Sequence, residues 1–280
     1  MTTKKDFKVA LLGPEGSYTF EAAEKAFPGG NFLLLSSIKK VFDSVIEKKA
    51  DFGVVPIENS TDGSITATLD LLSEKNLMIY AELLLDINHC FLSNETDFAK
   101  IDRIFSHPQG FAQCRSWIEN NYPKCELIEC GSTSEAAKKA FTQKGASAIA
   151  SLASAKKYSL KIIEKGIQDL IVNKTRFAIF SLPEKINPFY LEENKSKYKV
   201  SLLFAVKDKP GSLFDAIKSF KEFGVNMTKI ESRPSKRNVW EYVFFVDIEG
   251  KLDSSNVSNA LDELNKHCEF VKVLGCYKEI

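Results

Sequence analysis

The spacing of apolar residues in the last third of the chain restricts the fold more than any other feature. Residues 240–248 alternate with period two, which predicts a half-buried strand. Three shorter apolar runs predict further strands at 200–206, 226–230 and 270–274. Apolar residues three or four apart predict helices over 213–220 and 257–264, and Pro234 with its basic neighbours predicts a loop over 232–238. The order β-α-β-β-α-β predicts a ferredoxin-like domain of four antiparallel strands and two helices, able to pair with another copy.

The upstream residues alternate between strand and helix patterns over about 170 positions. Such alternation predicts an α/β domain with mostly parallel sheets and helices on both faces. Apolar runs predict strands at 8–13, 32–35, 52–56, 78–85, 101–105, 126–130 and 146–150. Helical spacing predicts helices over 19–27, 37–46, 65–72 and 135–141. Phe111, Cys114 and Ile118 share the spacing of one helix. We therefore predict domains over 5–182 and 199–277, joined by a linker over 183–198 that is rich in Lys, Glu and Asn.

Composition narrows the class of protein. The chain has 280 residues, with Lys+Arg 38 against Asp+Glu 37, and no long basic run that would favour a nucleic-acid partner. Its apolar stretches are too short to span a bilayer, and its first residues do not resemble a signal peptide. Six cysteines without a C-x-x-C pair and three dispersed histidines favour reduced thiols and no metal site. We expect a cytoplasmic protein that binds neither nucleic acid nor membrane.

Clusters of polar residues follow several predicted strands, where ligands bind in α/β sheets. Residues 13–19 form either a capped turn or an anion site at a helix start. Residues 56–64 form either a long polar loop in which Ser64 caps the next helix, or a site with Glu58 and Asn59 at the strand end. Ser132 and Glu135 fit a capping box, which would leave other N–H donors free for a ligand.

Three further positions have both a structural and a chemical interpretation. His107 follows a strand and is either a general base or a loop residue. His89 lies in a predicted apolar strand, which favours a core residue or one that supports a site. Thr175 and Arg176 offer a hydroxyl donor and a bidentate partner for a carboxylate, or simply begin a strand with a solvated charge.

Taken in order, these clusters resemble the prephenate dehydratase family with a C-terminal ACT regulatory domain. The likeness covers about residues 7–277 and is carried by residues 13–19, 54–60, 106–109, 132–134, 173–177, 210–213, 229–234 and 240–241. The resemblance implies a two-lobed, periplasmic-binding-protein-like α/β domain with its active site in the cleft between the lobes. It implies conversion of prephenate to phenylpyruvate, water and CO₂ in L-phenylalanine biosynthesis, without cofactor or metal.

The resemblance also assigns roles to individual residues. It implies catalytic roles for Thr175, Glu58, Asn59, Ser106 and Gln113. It implies substrate binding by Ser17, Thr19, Ser132, Thr133, Arg176 and Phe177. Our hypothesis is that Thr175 donates a hydrogen bond to the leaving hydroxyl, while Glu58 or a water molecule is the ultimate proton source.

For the ACT part, the resemblance implies control by L-phenylalanine bound where two ACT domains pair in a homodimer or homotetramer. The implied effector site comprises Gly211, Ser212, Leu213, Glu231, Ser232, Arg233 and Pro234. A surface ion pair between Glu231 and Arg233 is the structural alternative. The chain has Gly-Ser-Leu at 211–213 where the family commonly has Gly-Ala-Leu, and Ser159 where glycine is frequent.

Two other functions fit the same residues. Arogenate dehydratase acts on a substrate that differs from prephenate only by an amino group in place of a keto group. A non-catalytic amino-acid sensor would combine a solute-binding-like domain with an ACT domain, but it would not need the Thr175 hydroxyl beside Asn59 and Gln113.

Overall fold

The structure is a computed structural model that describes residues 7–170, 172–185, 197–235 and 242–280. The chain forms two compact units. The first comprises Met1–Leu69 and Leu84–Phe177, and the second comprises Asp70–Leu83 and Ala178–Ile280. The short segment Asp70–Leu83 thus belongs to the same unit as the C-terminal residues. The domain boundaries expected from the sequence remain a prediction.

Most of the elements up to residue 181 agree with the predicted strands and helices. The strands are β1 (Lys8–Leu12), β2 (Asn31–Leu35), β3 (Phe52–Asn59), β4 (Gly63–Ser64), β5 (Met78–Asp86), β6 (Cys90–Ser93), β7 (Arg103–Ser106), β8 (Glu126–Glu129), β9 (Ala146–Ala150), β10 (Lys161–Lys165) and β11 (Lys174–Ser181). The helices are α1 (Tyr18–Ala26), α2 (Ile38–Ile46), α3 (Thr66–Glu74), α4 (Pro108–Gln113), α5 (Arg115–Asn121), α6 (Thr133–Thr142) and α7 (Leu152–Lys157).

The first unit contains two sheets. One has β1 between β2 and β3 in parallel pairing, with the short β4 antiparallel to β3 and the start of β11 on the other side of β3. The other has the order β10-β6-β9-β7-β8, in which β7 is parallel to β8 and β9 while β6 is antiparallel to β9 and β10. The predicted α/β class is confirmed, but the sheets are mixed rather than mostly parallel, because β4 pairs antiparallel with β3, and β6 pairs antiparallel with both β9 and β10.

Helices cover both faces of the five-stranded sheet. On one face, Ala136, Ala137 and Ala140 of α6 pack in a buried cluster with residues of β6, β7 and β9. On the other face, Cys114 and Ile118 pack with isoleucines from β7 and β9. The small side chains of α6 on one face and the larger side chains on the other fill the space between the helices and the sheet.

The single helix predicted over Phe111, Cys114 and Ile118 is wrong. The structure ends α4 at Gln113 and begins α5 at Arg115, with Cys114 between them outside helical geometry at φ −119° and ψ 19°. Because of this break, Cys114 is buried while its neighbour Gln113 is only partly buried. The strands β4 and β10 and the helix α7 were not among the predicted elements, and the apolar strand predicted around His89 corresponds to β6.

The C-terminal residues form the predicted β-α-β-β-α-β order. Its elements are β12 (Lys199–Val206), α8 (Ser212–Glu222), β13 (Met227–Pro234), β14 (Tyr242–Glu249), α9 (Ser255–His267) and β15 (Cys268–Glu279). The strands lie in the order β13-β14-β12-β15 and pair antiparallel, and the end of β15 also pairs with β5. Apolar residues of both helices pack on one face of this sheet, including Ala216, Phe220, Val257, Ala260 and Leu264. The ferredoxin-like arrangement is confirmed.

The loop predicted over 232–238 is wrong in its first part. The structure continues β13 through Pro234, which lies opposite Tyr242 of β14. A proline is tolerated there because β13 is the edge strand of the sheet, so its missing N–H removes no ladder bond on the outer side. Residues 236–238, together with the predicted strand start and motif residues at 240–241, lie outside the described residues.

Candidate active site

A cavity of about 880 Å³ opens in the first unit. Its wall is built from loops that follow β1, β2, β3, β7 and β8, and from the first residues of the helices after them. This is the position where α/β sheets bind ligands, and the volume suits a small molecule. The polar residues of the wall include Ser17, Thr19, Asn59, His89, His107, Gln109, Gln113, Ser132, Thr133, Lys138, Lys157 and Thr175.

The loop after β1 is held in place by serine hydroxyls from the five-stranded half of the unit. Ser134 Oγ donates to the carbonyl oxygen of Glu15 at 2.6 Å. Ser151 and Ser154 both donate to the carbonyl oxygen of Gly16 at 2.9 Å. Gly16 has φ +83°, and a Cβ on it would lie 3.1 Å from Ser134 Oγ, so this close docking requires glycine.

Two of the predicted catalytic residues meet at the wall of the cavity. Asn59 ends β3, and Thr175 is the second residue of β11. The Nδ2 atom of Asn59 donates to Thr175 Oγ1 at 2.9 Å and to Asn173 Oδ1 at 2.8 Å. The backbone N–H groups of Thr61 and Asp62 donate to Asn59 Oδ1 at 2.9 and 3.1 Å. The amide of Asn59 is therefore fully bonded and rigidly placed, and both it and Thr175 are buried.

Gln113, the last residue of α4, extends this network. Its Oε1 atom accepts from Asn173 Nδ2 at 3.0 Å and lies 2.8 Å from His89 Nε2. Its Nε2 atom donates to Asp62 Oδ2 at 2.9 Å. A chain of side chains thus runs from Asp62 through Gln113, Asn173 and Asn59 to Thr175.

His89 is a wall residue whose side chain is almost completely buried, at 3% exposure. Burial lowers the pKa of His89 below its ordinary value, and the hydrogen bond with Gln113 acts in the opposite direction. Tyr18 packs edge-on against the His89 ring with centroids 6.0 Å apart and donates to the carbonyl oxygen of Asn88 at 2.9 Å. His89 is buried and hydrogen-bonded, as the sequence interpretation expected, although it lies between β5 and β6 rather than within a strand. Its support of a site stays a prediction.

Two helix N-termini contribute to the wall. Ser17 caps α1 by accepting from the N–H of Phe20 at 3.2 Å, and Ser132 caps α6 by accepting from the N–H of Glu135 at 3.0 Å. The Glu135 carboxylate accepts from the N–H of Gly131 at 3.0 Å, one residue before the position expected in a capping box. The remaining N–H groups at both helix starts favour an anion in the cavity.

Ser64 lies in β4, opposite Glu58, and α3 begins two residues later at Thr66, so the cap that the sequence suggested there stays a prediction. His107 caps α4, because its Nδ1 atom accepts from the N–H of Gln109 at 3.2 Å. Only its Nε2 atom is left for a ligand in the cavity.

Two lysines reach the cavity wall. Lys157 pairs with Glu15, which also lies in the wall. Lys138 of α6 lies in the wall as well, and within the described ranges no carboxylate pairs with it. Lys138 therefore adds positive charge to the anion-favouring helix start of α6.

Three of the predicted site residues lie outside the cavity wall. Arg176 and Glu58 pair with each other at 3.5 Å, on the faces of β11 and β3 opposite to Thr175 and Asn59. Successive residues of a strand point to opposite faces, so Arg176 cannot share the cavity with its neighbours Thr175 and Phe177. Ser106 is buried and donates to the carbonyl oxygen of Ile149 at 3.0 Å. The catalytic roles expected for Glu58 and Ser106, and the substrate-binding role expected for Arg176, stay predictions.

The remaining predicted site residues do meet at the cavity, and the structure adds others. Ser17, Thr19, Asn59, Gln113, Ser132, Thr133, Thr175 and Phe177 all lie in its wall. The sequence interpretation missed Asn173 and Asp62 of the hydrogen-bonded chain, and Lys138 in the wall. Asn173 and Asp62 belong to segments already singled out, whereas Lys138 has no local signal because it resembles any lysine on an exposed helix face.

The predicted effector residues lie in the second unit. Gly211 precedes α8 with φ +87°, and Ser212 and Leu213 begin that helix. Along β13, Glu231 and Arg233 share the half-buried face, while Ser232 and Pro234 point to the exposed face. Lys229 pairs with Glu231 at 3.5 Å, and Arg233 pairs with Asp70 of α3 at 3.0 Å. The structure therefore gives Arg233 a partner other than the Glu231 expected in the structural alternative.

Several further properties of the described residues can be compared with what the sequence predicts. No helix among them is long and apolar enough to cross a membrane. In the same ranges, no three His, Cys, Asp or Glu side chains come together as a metal site would require. All six cysteines are free, and Ser159 adopts φ +52°, a conformation that glycine enters more easily.

Comparison with protein families finds two matches along the chain. The family model for prephenate dehydratase matches residues 9–185, and the model for the ACT domain matches residues 200–266. The bifunctional chorismate mutase/prephenate dehydratase of Aquifex aeolicus is 40% identical over 278 residues, which covers 99% of this chain and 75% of that protein.

Two solved structures are similar over nearly the whole chain. The prephenate dehydratase from Arthrobacter aurescens in complex with L-Phe has a TM-score of 0.86 and 27% identity, and the match covers 97% of this chain and 90% of that one. GqqA, described as a novel type of quorum-quenching acylase, has a TM-score of 0.85 and 29% identity, with 98% of both chains covered. The same architecture thus occurs with two chemistries, so the arrangement of the side chains must decide between them.

The buried His89 predicts a pH dependence of stability. A histidine whose pKa is lower in the folded chain binds fewer protons there, so the free energy of unfolding falls as pH drops below its ordinary value of 6.5. Between about pH 7.5 and 5.5, we expect the native protein to lose more stability than His89→Gln, by at most about 1.4 kcal/mol per pH unit below 6.5. Urea unfolding at both pH values measures this difference, and equal losses in the two proteins would contradict it.

Proposed function

The chain belongs to the prephenate dehydratase family, and we propose that it converts prephenate to phenylpyruvate, water and CO₂ in L-phenylalanine biosynthesis. The observation that carries the proposal is the Thr175 hydroxyl at the cavity wall, which accepts a hydrogen bond from Asn59 and so keeps its own proton for a ligand. The reaction is expected to need no cofactor and no metal.

The chemistry explains why so few groups suffice. When the ring carboxylate of prephenate leaves as CO₂, its bonding electrons enter the ring and the hydroxide on the opposite carbon departs. The departing hydroxide takes up a proton and becomes water, and the ring becomes aromatic. Aromatisation makes the step strongly downhill, so the protein has mainly to stabilise the leaving oxygen and to exclude water.

Thr175 is the group that we propose for the leaving oxygen. An alkyl alcohol is too weak an acid to give up its proton outright, but it can donate a hydrogen bond to a developing hydroxide. Because Glu58 lies on the opposite face of β3 and pairs with Arg176, we propose that a water molecule rather than Glu58 is the ultimate proton source.

The two carboxylates of prephenate need groups that favour anions. We propose that the helix starts after Ser17 and Ser132 hold them, together with Lys138 in the same wall. Thr19, Thr133 and Phe177 complete the binding surface in this proposal. Arg176, which resemblance made a substrate-binding residue, acts instead with Glu58 as an ion pair that braces β3 and β11 behind Asn59 and Thr175.

The remaining predicted catalytic positions act at different distances from the substrate. Gln113 lies in the wall and orients its neighbours through both ends of its amide. Ser106 contacts α4 at Gly110. A Cβ added to Gly110 would lie only 2.4 Å from Ser106 Oγ, so the hydroxyl packs directly against the helix backbone and supports it. Both roles are proposals for the dehydratase reaction.

The geometry also bears on the alternatives. An acylase hydroxyl that attacks a carbonyl needs a base to take its proton. Thr175 instead accepts a hydrogen bond from the NH₂ group of Asn59, which cannot act as that base. A bare amino-acid sensor has no need of a donor hydroxyl in this buried position. Arogenate dehydratase remains open, because its substrate would place the same leaving hydroxyl against Thr175.

A single assay tests the proposed function and separates these alternatives. We expect the purified protein to form phenylpyruvate from prephenate, and to form it faster than it forms phenylalanine from arogenate. Chromatography of both products measures the two rates. Phenylalanine from arogenate alone would assign the rival dehydratase, and no product from either substrate would refute a dehydratase function.

Substitution of Thr175 tests the donor role. Thr175→Ala removes the hydroxyl and should lower kcat by about 10²–10⁴-fold, whereas Thr175→Ser retains the donor and should keep most of the activity. Phenylpyruvate formation under saturating prephenate measures both variants. Native turnover in Thr175→Ala would contradict the role, and thermal unfolding of each variant controls for misfolding.

We also propose that the ACT domain senses L-phenylalanine. The match to the ACT family supports this, as does the related structure from Arthrobacter aurescens with L-Phe bound. The proposed effector site comprises Gly211, Ser212, Leu213, Glu231, Ser232, Arg233 and Pro234. Among the described strands β13 lies at the edge of its sheet, the position at which a second sheet can add to it, and this supports pairing of two ACT domains in a homodimer or homotetramer. A cytoplasmic location and domains over 5–182 and 199–277 complete the proposal.

Two glycines at the ends of α8 test the effector site. Gly211 and Gly224 both have positive φ, at +87° and +66°, but only Gly211 belongs to the proposed site. We expect Gly211→Ala to raise the L-phenylalanine concentration for half-maximal effect by about tenfold or more, and Gly224→Ala to leave it unchanged. Initial rates against L-phenylalanine concentration measure this. A native enzyme that does not respond to saturating L-phenylalanine would rule out the regulation.

A further inference from the structure

Asp62 lies in the turn between β3 and β4, outside the cavity wall, and its role is not explained by the sequence motifs. Its Oδ2 atom accepts from Gln109 Nε2 at 2.5 Å and from Gln113 Nε2 at 2.9 Å. Gln109 and Gln113 are four residues apart in α4, so they present their amides on the same side of the helix. One carboxylate oxygen therefore fixes both glutamine side chains.

A carboxylate can only accept hydrogen bonds, so it determines which end of each amide faces it. Gln113 must turn its NH₂ group towards Asp62 and its carbonyl oxygen towards His89 and Asn173. His89 must then carry its hydrogen on Nε2, and Asn173 must present its NH₂ group to Gln113 and its carbonyl oxygen to Asn59. The direction of each bond follows from the one before it.

The other end of this series of hydrogen bonds, at Asn59, is also constrained in direction. The backbone N–H groups of Thr61 and Asp62 can only donate, and they hold Asn59 Oδ1. Asn59 must therefore direct its NH₂ group to Asn173 and Thr175. If Gln113 reversed its amide, the NH₂ groups of Asn173 and Asn59 would face each other without an acceptor between them, at the cost of a buried hydrogen bond.

We propose that Asp62 is a positioning residue for the dehydratase reaction, whose carboxylate fixes one end of the series of amide hydrogen bonds that leads to Thr175, while the backbone N–H groups of Thr61 and Asp62 fix the other. Acting through Gln113 and Asn173, it stabilises the one arrangement in which Asn59 donates to Thr175 and the Thr175 proton is directed to the substrate. The inference rests on the proposed function, because its catalytic consequence exists only if Thr175 acts on a leaving hydroxyl.

The experiment uses the full chain with ¹⁵N-labelled histidine and two substitutions. Asp62→Ala removes the acceptor, and we expect kcat with prephenate to fall about tenfold or more while KM stays within about twofold. Asp62→Asn should restore most of kcat, because both bonds end on a single oxygen that an amide can replace. Asp262→Ala, an exposed aspartate on α9, is the matched control and should behave like the native protein.

The ¹⁵N NMR spectrum of the histidine rings distinguishes a loss of side-chain positioning from a general loss of stability. The chain has 3 histidines, so the His89 ring signals are assigned readily, with His107 and His267 as internal references. The native protein should show the Nε2–H form of His89, Asp62→Ala should show a mixture with the Nδ1–H form, and Asp62→Asn should recover the native form. A loss of kcat in Asp62→Ala with an unchanged His89 form would overturn the proposal, as would native kcat in that variant.

The two proposals can fail separately. If the native protein does not turn over prephenate, the proposed function fails, and the His89 form in Asp62→Ala still decides whether Asp62 sets the direction of the amide chain. A mixed form would support the positioning role, and an unchanged form would refute it.

Discussion

The hydrogen bond from Asn59 to Thr175 joins residues 116 positions apart in the chain, and the candidate site depends on it. It forms because the end of β3 and the start of β11 are held in one register, with the N–H of Ser60 bonded to the Lys174 carbonyl at 2.8 Å and the N–H of Lys174 bonded to Ser60 Oγ at 2.9 Å. The turn after β3 then supplies two backbone donors to Asn59. The strand register, the turn and the direction of the Asn59 side chain together fix the position of the Thr175 hydroxyl.

The alternation of side chains along these two strands explains which predicted site residues meet. Glu58 and Asn59 are neighbours in β3, and Thr175 and Arg176 are neighbours in β11, so each pair must divide between two faces. Asn59 and Thr175 face the cavity, and Glu58 and Arg176 pair behind it at 3.5 Å. Resemblance to a family treats such a motif as one block. The period of a strand, which the sequence already contains, would have separated its two faces.

Local patterns predicted most of the strands and helices, because strong apolar periodicity and tertiary burial agree there. They failed where a local rule is overridden by the surroundings. The spacing of Phe111, Cys114 and Ile118 suits one helix, but the chain breaks at Cys114, so that Cys114 and Ile118 reach the core while Gln113 reaches the cavity. Pro234 suggests a loop, yet an edge strand tolerates it. Asp62 and Lys138 were unpredictable, because their roles depend on contacts with residues distant in sequence.

The fold by itself does not select the reaction, since GqqA and a prephenate dehydratase both superpose on nearly the whole chain. What differs between an acylase and a dehydratase at a hydroxyl is the direction of its proton. A nucleophile must face a base that removes the proton, and a donor must face a group that leaves the proton available to the substrate. In this chain the partner of Thr175 is the NH₂ group of Asn59, which two backbone N–H groups keep from reversing. The chemistry is therefore fixed by the orientation of one amide, and that orientation is set by a turn and a carboxylate that lie outside the cavity wall.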